Sequence, residues 1–286
     1  MAIGVALVLG ACGGDDDGPI PQTGERQTTT TAEGTTTTTE AAGEGAAGQG
    51  AAGDDTLEVL VTNDDGFAAA GIDTLVEALR QADGVTVTVV APATEQSGTG
   101  GNATEGVLAT AEGETASGFG VTSVEGFPSD AIRVALDDMG LQPDLVISGI
   151  NLGQNLGPVV DVSGTVGAAR AAVRAGVPAL AASAGLADPP DYATAAGLVL
   201  DWLEQNRAAI VAGELPTDTV PNLNVPTCEA GEVRGLVEVA SATAGNPLAA
   251  ANCQSTGEGY SDDVTAFNNG FATLSEVPVE PAAPAA

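Results

Sequence analysis
Asp64 and Asp65 are neighbouring carboxylates in the run Leu57 to Gly66, LEVLVTNDDG, and they stand where an apolar stretch stops. Like charges a few ångströms apart repel unless a cation lies between them, so the pair is a candidate oxygen-ligand site for a divalent metal. The alternative is local: Asp and Asn close turns and start helices, and Gly66 supplies a permissive backbone. A turn explains one Asp well and two less well, and this stretch alone leaves both readings open. A second polar concentration is SGINLGQNLG, Ser148 to Gly157, followed by Ser163, Gly164 and Thr165. Glycines let a backbone approach a ligand, and a helix opening at Ser163 would offer unpaired N–H groups to an anion. A phosphate seat beside a metal fits this combination; an ordinary Ser N-cap fits the helix start equally. No Lys follows as a Walker A loop requires, and the glycine spacing is not GxGxxG. A third stretch, PATEQSGTGGNAT from Pro92, reads by itself as a flexible loop.

The inventory narrows the chemistry further. There is no His in the chain, which excludes Ser-His-Asp and Cys-His catalysis and any His-ligated zinc. Thirty-nine acidic residues face seven basic ones, all Arg, for a formal charge of -32. Such a chain does not suit a nucleic-acid polymer or an anionic lipid surface as partner. It would also repel a phosphorylated ligand, unless a bound divalent cation reversed the field locally. Ser183, in AASAG, sits like a nucleophile elbow, but without His it is expected to be a turn.

The elements that must position these groups follow from periodicity. Leu57, Val59, Leu60 and Val61 form a β-branched, apolar run of the kind buried in a parallel sheet, so the acidic pair falls just past its carboxyl end. Apolar spacing predicts a helix over Gly71 to Gln81, with Ile72, Leu75, Val76 and Leu79 on one face. Strands are expected at Val85 to Ala91, more weakly at Val121 to Val124, and at Asp144 to Ile150. Helices are expected at Ser129 to Met139, capped by Ser129 or Asp130, from Ser163 through Ala175, and at Val199 to Ile210 with Trp202 and Leu203 inward. Strands alternating with helices predict an α/β domain with a mostly parallel sheet over residues 56–276. Residues 277–286, rich in Pro and Ala, are expected to be an unstructured tail.

The front of the chain suggests where the protein works. Met1 to Ala11 is a short apolar run ending at Cys12 in the order Leu9, Gly10, Ala11, Cys12, which is similar to a bacterial lipobox with Cys12 as the lipidated residue. No basic residue precedes the run; a start codon further upstream would account for that. Residues 13–55 are a Thr, Gly, Ala and Glu-rich tether with almost no large apolar side chains, expected to be disordered. The expectation is an exported lipoprotein on the outer face of the bacterial cytoplasmic membrane, touching the membrane only through its anchor. Cys228 and Cys253 then remain as an even pair, which in an exported chain suggests one disulfide.

Five motifs in order, NDDG at Asn63 to Gly66, SG at Ser97 and Gly98, SGINLGQNLG at Ser148 to Gly157, SGTVGAA at Ser163 to Ala169 and NLNVP at Asn222 to Pro226, resemble the SurE-type 5′/3′-nucleotidases. The resemblance covers nearly all of residues 56–274. It implies a Rossmann-like three-layer α/β/α fold and a metal-dependent phosphatase that releases phosphate from nucleoside monophosphates. It also implies one divalent ion, Mg²⁺ or Mn²⁺, held by Asp64, Asp65, Ser97 and Asn151, with Asp64 and Asp65 catalytic. Asn63, Asn155, Ser163, Gly164 and Thr165 would line the phosphate side. Two carboxylates, a hydroxyl and an amide make an all-oxygen shell, consistent with a hard cation.

The chain also departs from the family pattern. APATEQSG carries Glu95 where many relatives have basic residues. The segment Thr227 to Tyr260 is short and holds both remaining Cys, where relatives have an extended arm used for dimer or tetramer assembly; a truncated, disulfide-closed version puts that assembly in doubt and leaves a homodimer open. Two other classes compete with the enzyme: a lipid-anchored solute-binding protein, and a folded but catalytically inactive member of the family.

Overall fold
The first strand, β1 (Leu57–Thr62), alternates its side chains between two apolar layers. Leu57, Val59 and Val61 enter one core and Leu60 the other, so the strand is covered on both faces. After the acidic turn comes α1 (Ala70–Leu79), and then β2 (Val85–Pro92), β3 (Thr110–Glu114), β4 (Gly120–Val124) and α2 (Pro128–Arg133). The chain continues through β5 (Leu145–Leu152), α3 (Gly164–Arg174), β6 (Ala179–Ala184) and α4 (Tyr192–Ala212). It closes with β7 (Thr219–Val225), β8 (Leu236–Glu238), α5 (Asp263–Asn268) and β9 (Ala272–Pro278). The structure is a computed structural model and describes residues 56–281; Cys12 and the readings for residues 1–12 and 13–55 lie outside the described residues. Among the described residues no helix is long and apolar enough to cross a membrane.

The nine strands form one sheet in the order β3-β4-β2-β1-β5-β6-β7-β9-β8. β4 through β7 run parallel, while β3 and β9 pair antiparallel with β4 and β7. Helices α1 and α4 pack on one face and α2 and α3 on the other, giving the three-layer α/β/α arrangement that the strand and helix alternation predicts. From β1 the chain moves outward to β2 and later returns to lay β5 on the opposite side. The strand order therefore reverses between β1 and β5, and ligands in open α/β sheets bind in the crevice beyond such a point.

Three local expectations are corrected. Ser183 lies inside β6, fully buried and paired with Asn224 of β7, and is not in a turn; the run Ala179 to Ala184 is so poor in large side chains that it lacks a strand's usual signature. The helix expected over residues 129–139 starts at Pro128 and gives way after Arg133 to a π turn, in which Met139 N–H reaches back to the Val134 carbonyl. Asp130 sits within it, accepting the Phe127 and Thr104 backbone N–H groups. The tail expected from Val277 is ordered over its first residues. Val277 is buried in β9, Arg170 donates to the Pro278 carbonyl, and Arg174 binds Glu280 and the Val279 carbonyl. Two Arg on α3 hold the chain end there, a tertiary effect that Pro and Ala content does not reveal.

Candidate active site
The turn after β1 is fixed from within. Asn63 is fully buried and donates its Nδ2 to the Gly66 carbonyl at 2.8 Å, which aims Asp64 and Asp65 out of the carboxyl end of the strand. Asp64 is only 2% exposed. Its Oδ1 accepts the Thr165 hydroxyl at 2.6 Å, and the Thr165 backbone N–H also supports the carboxylate. Asp65 accepts the Leu152 N–H at 2.9 Å. Each carboxylate thus ties the turn to another strand or helix end, 101 and 87 residues away.

Ser163 caps α3 by accepting the Val166 N–H at 3.1 Å. Gly164 follows, and a Cβ there would lie 2.8 Å from both the Asp64 Cβ and its Oδ2; only a residue without a side chain lets the carboxylate rest on the helix end. The helix start that the sequence offers to a phosphate is therefore engaged in part by Asp64 itself. β5 changes register against β6 between Ser148 and Asn151, a bulge that re-aims the strand end, and Asn151 turns its Nδ2 to the Gly153 carbonyl. The loop after β2 joins the same turn: Gln96 N–H donates to the Asp64 carbonyl at 2.7 Å, leaving Ser97 exposed beside it.

Asn155 is held by a buried network. Its N–H donates to Asn224 Oδ1 at 2.6 Å, its carbonyl accepts from Asn222 and Asn224, and its Nδ2 reaches Ser183 Oγ at 3.0 Å and Thr165 Oγ1 at 3.4 Å. Ser183, Asn222 and Asn224 are supports of Asn155 that the residue types did not reveal. The signal was present for two of them, since Asn at alternate positions of a buried strand places two amides on one face, where each needs a partner.

The acidic pair is electrostatically uncompensated. Burial pushes the Asp64 carboxyl up, against the hydrogen bonds from Thr165 that lower it. Burial also pushes Asp65 up to about 6, with the Leu152 N–H opposing and the charges of Asp64 and Glu95 adding to the rise. Tyr192 is pushed up to about 12 by burial and by the Asp65 charge. The ion pairs of the described residues join Arg80, Arg133, Arg170, Arg174 and Arg207 to Glu77, Asp130, Asp138, Asp161, Glu280 and Glu204; none reaches Asp64 or Asp65. Two desolvated carboxylates without a protein cation are donors that fit a hard divalent ion. Among the described residues no three His, Cys, Asp or Glu side chains gather for a metal, so hydroxyl and amide oxygens would have to complete the shell.

Beyond the carboxyl ends of β6 and β7, Cys228 and Cys253 are joined in a disulfide across 25 positions. Closing a loop of that length is worth about 3 kcal/mol by chain entropy. The double change Cys228→Ser/Cys253→Ser is expected to lower Tm by roughly 10 °C in thermal unfolding; an unchanged Tm would remove the bond from the account of stability.

The family described as Survival protein SurE matches residues 59–246. The chain is 40% identical over 181 residues to 5′-nucleotidase SurE of Thermosipho africanus, covering 63% of this chain and 69% of that one. It is 37% identical over 187 residues to 5′-nucleotidase SurE of Brevibacillus brevis, covering 63% and 71%. The crystal structure of SurE protein from Aquifex aeolicus superposes with a TM-score of 0.64 at 27% identity, covering 78% of this chain and 94% of that one. The family match spans more than half of the chain and includes the acidic turn, the Ser97 loop, the β5 exit, the start of α3 and the Asn222 and Asn224 strand, and the chain belongs to the survival protein SurE family.

Proposed function
We propose that the protein hydrolyses nucleoside 5′- and 3′-monophosphates to nucleoside and phosphate, with one divalent ion, Mg²⁺ or Mn²⁺, held by Asp64, Asp65, Ser97 and Asn151. The observation that carries this reading is the carboxylate pair, Asp64 buried and Asp65 half-buried, placed without a protein cation at the reversal of the strand order. Kinship to proteins named 5′-nucleotidase supports the substrate class. A bound cation would neutralise the paired charge and polarise a phosphoryl oxygen.

The remaining work falls to the chain. Thr165 fixes one oxygen of Asp64, which leaves the other to orient an attacking water and accept its proton. The Leu152 N–H fixes Asp65 next to it. Ser163 spends its lone pair on Val166 and keeps its hydroxyl proton to donate to an equatorial phosphoryl oxygen. Asn155, immobilised by Asn222, Asn224 and Ser183, donates its second amide proton to the Thr165 hydroxyl and so helps hold the group that fixes Asp64. No group on the enzyme needs to be phosphorylated in this scheme, because water is the nucleophile.

The lipobox-like run ending at Cys12 supports an exported, lipid-anchored placement, and a disulfide suits that compartment. Phosphate release from nucleoside 5′- and 3′-monophosphates, set against simple phosphomonoesters, tests the substrate class. Nucleotides are expected to be preferred by at least about tenfold in kcat/KM, a difference of 1.4 kcal/mol; equal rates across the panel would replace the nucleotidase with a general phosphomonoesterase.

A further inference from the structure
The loop between β2 and β3 carries a third carboxylate, Glu95, and holds it against the acidic turn. Gln96 N–H donates to the Asp64 carbonyl at 2.7 Å, and the Pro92 carbonyl accepts the Phe67 N–H at 3.0 Å. Gly66, at a φ of +92°, lets turn and loop close on each other: a Cβ there would lie 3.2 Å from the Thr94 carbonyl carbon and 3.4 Å from the Glu95 nitrogen. Further along, Gly100 N–H donates to the Val162 carbonyl at 3.0 Å, next to the Ser163 cap of α3. The loop is thereby tied to the acidic turn at one end and to the start of α3 at the other. Within it, Glu95 Oε1 accepts the Ser97 N–H at 2.7 Å, which fixes the carboxylate beside the hydroxyl proposed for the metal.

No protein cation offsets this charge. Glu95 is exposed, and none of the ion pairs among the described residues includes it. Its field reaches both site carboxylates: after burial, and in Asp65 after the Asp64 charge, the Glu95 charge adds to the upward push on each. Three carboxylates around one divalent ion leave the site negative overall. Such a site draws a cation in more strongly and meets additional anions less well, two consequences of opposite sign from one side chain. A phosphoryl group on an uncharged leaving group brings only the charge that the cation meets. A leaving group made of further phosphates brings more negative charge into the field of Glu95, where the single cation does not offset it.

Resting on the phosphomonoesterase reading above, we infer that Glu95 is a specificity-determining residue, whose charge strengthens the hold on the cation and selects esters with an uncharged leaving group over chains of phosphate. The test uses Glu95→Gln, which keeps an oxygen to accept the Ser97 N–H and loses only the charge, and Glu95→Lys, which reverses the charge. Mn²⁺ binding to the chelated protein is read by calorimetry, which requires no turnover. The kcat/KM is measured for adenosine monophosphate and for inorganic tripolyphosphate at low ionic strength, where charges are least screened. Glu95→Gln is expected to weaken Mn²⁺ binding at least about threefold and to raise the kcat/KM of tripolyphosphate relative to that of adenosine monophosphate at least about tenfold, with Glu95→Lys going further in both. A side chain that merely shaped the loop would lower binding and both rates together and leave their ratio where it was. An unchanged ratio therefore overturns the assignment, and so does undiminished Mn²⁺ affinity. Absence of phosphate release from every ester would overturn the phosphomonoesterase reading instead. Calorimetry would then still decide the role of Glu95: Mn²⁺ affinity that Glu95→Gln leaves unchanged, or no binding to either protein, overturns it.

Discussion
Asp64→Asn is expected to lower kcat for nucleoside monophosphates by at least about a thousandfold while raising the Tm of the metal-free protein at pH 7. The two effects have one cause. Asn has nearly the shape of Asp and can still accept the Thr165 hydroxyl, so the packing of a side chain only 2% exposed is kept. What disappears is the charge, which the reaction uses and the metal-free fold does not favour. Burial raises the folded carboxyls of Asp64 and Asp65 above the ordinary carboxylate value of 3.8, in Asp65 to about 6. A carboxyl raised in the folded state binds its proton more tightly there than in the unfolded chain. Its contribution to stability is complete below the unfolded value and is lost as pH climbs through the folded one. For Asp65 that window runs from about pH 4 to about pH 6. The chelated parent should accordingly lose stability across this window, and the Asn variant should lose less. A divalent ion at about a hundred times its Kd should add about 2.7 kcal/mol to the parent, and little to the variant. Thermal unfolding of both proteins, chelated and then with Mn²⁺, at pH 5 and pH 7, reads all of this. A variant that turns over like the parent would remove Asp64 from the mechanism.

Gly164→Ala is expected to reduce kcat about a hundredfold, for a steric reason that separates it from loss of charge. Replacing Gly by Ala inside a helix ordinarily stabilises by about 0.5–1 kcal/mol. Here the added methyl would stand 2.8 Å from the Asp64 Cβ and Oδ2 and 3.1 Å from its Cγ. Those atoms belong to a short side chain held in place by Thr165, so either the carboxylate or the start of α3 has to shift. The clash should outweigh the propensity gain and lower Tm by several degrees. Gly197→Ala supplies the opposite sign: it lies on the exposed face of α4, and a Cβ there meets nothing within 4 Å. It should stabilise by about 0.5–1 kcal/mol and leave turnover alone. If the two Ala variants behaved alike, the close approach of Asp64 to the helix would have no functional meaning.

How much of this could be read in the sequence depended on how local the determinants were. β1, β2 and β5 are short runs of Val, Leu and Ile, and α1 repeats its apolar residues at helical spacing, so each announced itself. Their order also fixed the place of Asp64 and Asp65, because a strand end in a parallel sheet is a ligand position whatever follows. β3 did not show itself: TAEGE carries no large apolar side chain and gains its order from β4 alone. β6 is made of Ala, Leu and Ser, and its strand character comes from lying between β5 and β7. α4 begins at Tyr192, earlier than its apolar residues indicated, because Asp191 caps it with two hydrogen bonds to Thr194. The partners of the site residues were the least legible. Thr165 could be named as a helix opener, but its bond to a carboxylate 101 residues earlier is a product of the fold. The Asn155 network, drawn from three strand ends, is of the same kind.

The central claim is that the acidic pair holds a cation essential to hydrolysis, and metal withdrawal and return tests it most directly. The purified protein would be assayed for phosphate release from a nucleoside 5′-monophosphate as isolated, after exhaustive chelation, and after stepwise return of Mn²⁺ or Mg²⁺. Release should stop on chelation, return with saturable dependence on the added ion, and fail to return in Asp64→Asn. Release that persists at full rate in the chelated protein would contradict the claim and leave Asp64 and Asp65 as a structural turn.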